Sequence, residues 1–373
     1  MFSPVNQLNN LWSLSKMLSK VGTAAKPAPQ APQQAKPPPT TGGTAAPRPA
    51  GDSFQPSRQS QVDGLKGSLA NDPAAQAAIT RLQEGGKLKS HAKGGSDLLG
   101  QLQRLQGNPE LLAQTVKDLA HPGKMRQGAD NKFCAQTDAL SHMARQDPGN
   151  YARVMADLST KGSAEVRGGV TLKAQTDLDP TKMGPMSATQ KLAAPALAEY
   201  ANGAGMEVDA KGVSHATDGR KTDRTVKGTF STGMERMQQA LVGHDWDSQY
   251  ISDSKKNHAQ SVTSAVDTIH DNLKQGENPS VSRNGHWFNV TGFRATPDGG
   301  RMTITDPLTG NSKTVNARHF LNNAEAVTFD KTDLKAKGGG GAPAAAEMAR
   351  PKDEEEGGGG KAGASTNPVE DLR

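Results

Sequence analysis

The sequence predicts an α+β domain in which a helical subdomain packs on a small antiparallel β-sheet, with disordered segments at both ends. Three observations predict it. Between residues 61 and 273, apolar side chains recur at steps of three and four, the period of a helix with one buried face. From 285 to 329 the period changes to two, around a Pro297-Asp-Gly-Gly300 turn. Both flanks are dominated by Pro, Ala, Gln and Gly and hold too few large apolar residues to offset the entropy of ordering. With 41 glycines, 23 prolines and 33% hydrophobic residues in 373, one compact domain is expected rather than two or three. The chain divides into an amphipathic segment with a Pro-rich linker (1–60), a helical upstream segment (61–120), a main domain (121–332) and a Gly-rich tail (333–373).

Taken in order, residues 4–21 place Val5, Leu8, Leu11, Trp12, Leu14, Leu18 and Val21 on a helical stripe, so that 1–22 reads as a segment that docks a partner or a secretion machinery. With only Lys16 and Lys20 for charge, a membrane-surface role is less favoured. Residues 24–60 form a stiff polyproline-type spacer. Helical patterns follow at Pro73 to Leu82, Ser96 to Leu105 and Asn108 to Leu119. The last is the clearest, with Asn108 as N-cap, Pro109 at the first helical position and Leu111, Leu112, Val116 and Leu119 on one face. Further on, Ser187 and Gln190 form a capping box for a helix with Pro195 inside it, and 203–229 read as a polar, Gly-rich loop. Ser231 to Leu241 and Ala259 to Leu273 are the final helical patterns. The strands follow at 285–295, 301–305 and Ala326 to Phe329.

The formal charge of +6 is uneven. Lys16, Lys20, Lys26, Lys36, Arg48 and Arg58 against Asp52 leave residues 1–60 at +5, the tail from 335 is at −1, and the middle keeps +2. That is ordinary for a soluble domain, and with 4% aromatics there is no platform on which bases stack, so nucleic acid is not an expected partner. No run of eighteen apolar residues exists, so no integral membrane segment is expected, and the N-terminus lacks the pattern of a secretory signal. A single cysteine excludes an intramolecular disulfide and a multi-cysteine zinc site.

That cysteine, Cys134, lies in MRQGADNKFCAQTDALSHM, from Met125 to Met143. Asp130 and Asn131 are good N-cap types, and Phe133, Thr137, Leu140 and Ala144 share one helical face, which puts Cys134 in the first turn of a helix running to about Arg145. The unpaired N–H groups there favour a thiolate. Gln127, seven residues upstream, is placed to donate one oxyanion hydrogen bond while the Cys134 N–H donates the other. The hairpin sets His286, at the head of its first strand, near Asp306, at the end of its second. His142 is eight residues beyond Cys134, too far along the helix to touch it.

These segments, NKFCAQTDAL, NGHWFNVTGF and MTITDPLTG, resemble the Cys, His and Asp segments of papain-like cysteine peptidases. The similarity is to the bacterial branch that includes the peptidase domains of bacteriocin-exporting transporters, and it covers about residues 124–330. Ala135 stands where that family often has glycine after the cysteine. The resemblance implies a papain-like fold and a Cys-His-Asp triad. Cys134 is then the nucleophile, His286 the general base and acid, Asp306 the group orienting the imidazole and Gln127 the oxyanion donor, with no cofactor and no metal. It implies hydrolysis of peptide bonds in a protein or peptide substrate. An acyltransferase or deamidase of transglutaminase type, on the same triad, and a catalytically silent binding module are the alternatives. In such a peptidase, 61–120 is either an inhibitory pro-region or an extra helical layer. The tethered, signal-less layout suits a bacterial effector exported by a dedicated machine, a cytoplasmic enzyme with unstructured ends being the alternative.

Overall fold

The computed structural model describes residues 57–92, 97–128, 131–203, 206–216 and 225–331. The amphipathic segment 1–22, the linker as far as residue 56 and the tail 333–373 lie outside the described residues. Among the described residues ten α-helices, α1 Arg58–Ser68, α2 Pro73–Glu84, α3 Leu98–Gln103, α4 Pro109–Ala120, α5 Cys134–Gln146, α6 Pro148–Lys161, α7 Ala188–Asn202, α8 Ser231–Leu241, α9 His258–Lys274 and α10 Ala317–Leu321, combine with antiparallel strands in a mixed α+β architecture. Among the described residues no helix is long and apolar enough to cross a membrane.

The local signals explain most helix starts. Leu111 N donates to Asn108 Oδ1 at 3.2 Å ahead of Pro109 in α4, and the Ser187/Gln190 capping box opens α7. Two boundaries differ from expectation. A first helix begins at Arg58, within the stretch read as linker, because Ser57 accepts from Ser60 N and Val62 and Leu65 are buried. The pattern read from Ser96 begins as a helix only at Leu98, because Asp97 takes the cap by accepting from Gly100 N at 2.9 Å.

The main sheet is also larger than the expected hairpin plus one strand. Six antiparallel strands, β6 Trp246–Tyr250, β7 Ser280–Arg283, β8 His286–Arg294, β9 Arg301–Asp306, β10 Asn311–Asn316 and β11 Ala324–Asp330, are ordered β10-β9-β8-β7-β11-β6. The segment 203–229, read as a loop, instead contains a three-stranded sheet of β3 Met206–Val208, β4 Val213–Ala216 and β5 Thr225–Lys227. Its strands are too short to show a period. Tertiary contact holds them: Lys132 N donates to Lys211 O at 2.7 Å, and Gly212, at φ +78°, lies so near the Lys132 backbone that a Cβ would sit 3.2 Å from it. β1 Ser163–Glu165 and β2 Thr171–Lys173 form a separate ribbon.

Two cores flank the main sheet. Successive residues of β8 point to opposite faces: Trp287 packs into the larger, helical core, whereas Phe288 and Val290 pack into a second core with Val262 and Ile269 of α9 and Phe320 of α10. The helical core contains Cys134 and Leu140 of α5 together with Leu98, Leu102, Leu112 and Leu119 from α3 and α4. The upstream helices therefore pack as a layer of the same core that holds the cysteine helix. That helix is buried from Cys134 to Ala144, which makes it the central element of the layer.

Candidate active site

Cys134 is the first residue of α5. Its N–H precedes the i→i−4 ladder of the helix and so needs no intrahelical acceptor. The cap is Phe133, with no side-chain hydrogen bond, rather than Asp130 or Asn131. Asp130 lies outside the described residues, and Asn131 is used differently. Its Nδ2 donates to Gln127 O at 2.5 Å and its Oδ1 accepts from Phe133 N at 3.2 Å, which folds the 127–133 loop back against the helix start.

Gln127 is buried on that loop. Its Nε2 donates one proton to Asn131 O at 3.3 Å, which leaves a second amide proton, and its N–H donates to Pro307 O at 2.8 Å. The loop is thereby tied to the turn that follows Asp306. Gly310 sits in that turn at φ +68°, and a Cβ there would come within 2.9 Å of Lys124 O, so only glycine allows the approach.

His286 heads β8 and Asp306 ends β9, and the hairpin brings His286 Nε2 to 2.8 Å from Asp306 Oδ1. The same carboxylate oxygen accepts from Leu308 N at 2.8 Å, so Asp306 shapes its Asp-Pro turn and holds the imidazole at once. Phe288, two residues along the strand, meets the imidazole edge-on with ring centroids 4.7 Å apart. With Nε2 committed to Asp306, Nδ1 is the nitrogen left for the Cys134 thiol, which is close enough to help raise the imidazole's pKa.

The electrostatics favour an imidazolium. Burial pushes the His286 pKa down, but the Asp306 hydrogen bond and the hydrogen bond and charge of Cys134 outweigh it, and the pKa is raised to about 9. Burial likewise pushes Asp306 up, and the His286 and Leu308 hydrogen bonds overcome it, holding the carboxyl below the usual range. One turn beyond Cys134 on α5 lies Asp138, which accepts from Ser280 Oγ at 2.5 Å. Burial raises its pKa to about 6 against the hydrogen bonds of Ser280 and Asn289 and the charges of Arg145 and His286. His142 is buried at 0% exposure farther down α5, paired with Asn289 of β8.

The structure thus brings Cys134, His286 and Asp306 together, with Gln127 on a loop bonded to the same turn. Sequence reasoning missed Thr229. Its Oγ1 accepts from Gln136 Nε2 at 2.7 Å and its O from Trp287 Nε1 at 3.1 Å, so it links the residue next to His286 with the helix of Cys134. Beside it, Phe230 is 70% exposed. The Trp in "GHW" was the available signal, since a buried indole N–H requires an acceptor. No protein-family model matches the chain, and no curated protein is significantly similar to it.

Proposed function

We propose that this protein is a papain-like cysteine peptidase. The observation that carries the reading is a cysteine at a helix start facing an imidazole whose far nitrogen is held by a carboxylate, with the imidazole's charged form favoured by both neighbours. In the mechanism, the Cys134 thiolate attacks the acyl carbon of the substrate. The oxyanion that forms is met by the Cys134 N–H and the free amide proton of Gln127. The C–N bond breaks as His286 passes its proton to the departing amine, leaving a thioester. His286, now neutral, takes a proton from water as it attacks the thioester, and the acid and the thiolate are released. Asp306 orients the ring throughout.

Incubation with a diverse peptide mixture, followed by mass spectrometry, tests this. The wild type is expected to give fragments that sum to substrate plus one water, and Cys134→Ala is expected to give none. Products carrying an added amine, or a glutamine converted to glutamate, assign the same triad to acyl transfer or deamidation instead. Unchanged cleavage by Cys134→Ala overturns the nucleophile.

Phe230 is a second point of test. Exposed next to Thr229, whose carbonyl holds the Trp287 indole beside His286, it offers apolar surface to a bound chain. Phe230→Ala is expected to raise KM by about tenfold or more with less change in kcat, because burying an aromatic ring against substrate contributes on the order of 1.5–3 kcal/mol. An unchanged KM removes Phe230 from the substrate site.

A further inference from the structure

We propose that His244, Glu277 and Asp330 form a binding site for a divalent cation of the zinc class, separate from the catalytic centre. Their ligand atoms, one imidazole nitrogen and two carboxylate oxygens, all lie within 4.8 Å of one another. Bonds from zinc to such atoms are about 2.0–2.2 Å, so two ligands of one ion stand at most about 4.4 Å apart, and small rotamer adjustments close the set. Without a thiol, and with one imidazole and two carboxylates, the donors suit a first-row divalent metal.

Three separate parts of the chain are fixed to deliver these groups. His244 lies in the turn after α8, Glu277 in the turn after α9, and Asp330 at the end of β11. Asn272, buried in α9, sets two of them: its O accepts from Glu277 N at 3.0 Å and its Oδ1 from Asp330 N at 3.1 Å. The carboxylates converge on one imidazole. His244 Nδ1 is hydrogen-bonded to Asp330 Oδ2 and stands 3.8 Å from Glu277 Oε1, while Gln146 Nε2 holds the other Glu277 oxygen.

Two further features point to a ligand. Gln146 Oε1 is a buried acceptor with no hydrogen-bond donor among the described residues, and a metal-bound water beside Glu277 would supply one. Gln146, His244 and Glu277 also line a cavity of about 1060 Å³, which leaves room for water to complete the coordination. Gln146 ends α5, twelve residues from Cys134 and so about 18 Å along the helix. An ion there takes no part in acyl chemistry. It clasps the α8–β6 and α9–β7 turns to the last strand.

Zinc titration of full-length Cys134→Ala protein, stripped with chelator, tests the proposal, the substitution removing the thiol as a competing ligand. Calorimetry is expected to show one equivalent bound. Melting is expected to rise by about 5 °C at a hundredfold excess over Kd, reversed by EDTA. Adding His244→Ala, or Asp330→Asn, which preserves the side-chain volume, is expected to weaken binding by about tenfold or more and to remove the melting shift. Absence of binding overturns the site, as does one equivalent retained in the folded Asp330→Asn protein or lost only on His286→Ala.

Discussion

Replacing His286 by alanine is expected to lower turnover by about a thousandfold or more, and to slow alkylation of Cys134 by iodoacetamide at neutral pH, while the protein stays folded. The imidazole serves two steps in the proposed mechanism. Its positive charge stabilises the thiolate before attack, and its proton goes to the leaving amine afterwards, and general acid–base assistance alone contributes about 10²–10⁴. Folding should survive, since His286 is about a quarter exposed, with 24% of its side chain accessible, and the strand is anchored by Trp287 and Phe288 instead. The wild-type pH profile carries the same signature. Because the His286 pKa is raised to about 9, the imidazolium persists through neutral pH and is lost as pH rises through that value, so the rate falls on the alkaline side near pH 9. In Asp306→Asn one of the interactions that raise the pKa is gone, and the alkaline limb is expected to move to lower pH. Retained turnover in His286→Ala, with alkylation at the wild-type rate, overturns the assignment.

His286 and Asp306 could be read from the sequence because both sit on a hairpin with strong local signals, alternation over 285–305 and a Gly-rich turn. The same holds for α4 and α7, whose caps are made by residues three apart in the chain. What escaped depends on partners far away. Asn131 has the chemistry of a helix cap, but its side chain is spent on Gln127 and Phe133, a choice set by the folded loop. Strands β3 to β5 have three or four residues each, and β4 is held by main-chain pairing on both sides rather than by an apolar pattern. The insertion of β11 between β7 and β6 pairs it with segments some forty and some eighty residues earlier in the chain, which no local period encodes. His244, Glu277 and Asp330 are equally scattered and match no motif. The link between Thr229 and both halves of the site is likewise visible only in three dimensions.

Truncation of the chain to residues 121–373, which removes the upstream helices, is expected to unfold the protein rather than to activate it. Were these helices a detachable inhibitory segment, they would cover the site and leave an intact core behind. Instead Leu98, Leu99, Leu102, Leu112 and Leu119 are essentially inaccessible and belong to the same core as Cys134 and Leu140. Burying each such side chain contributes roughly 1.5–3 kcal/mol, so five of them match the whole stability of a typical domain, about 5–15 kcal/mol. Polar contacts add to this. Asp118 of α4 is buried and accepts from Tyr151 Oη at 2.8 Å and Thr189 Oγ1 at 2.5 Å, and burial raises its pKa to about 6 despite the hydrogen bonds of Thr189, Gln114 and Tyr151. Without α4, two hydroxyls from α6 and α7 lose their acceptor inside the core. The truncated chain 121–373 is therefore expected to be insoluble or to lack a cooperative melting transition, and Leu112→Ala in the full chain to lose about 2–5 kcal/mol of stability in denaturant unfolding. A soluble, cooperatively folded and more active 121–373 protein would overturn this and make the upstream helices an inhibitory pro-region.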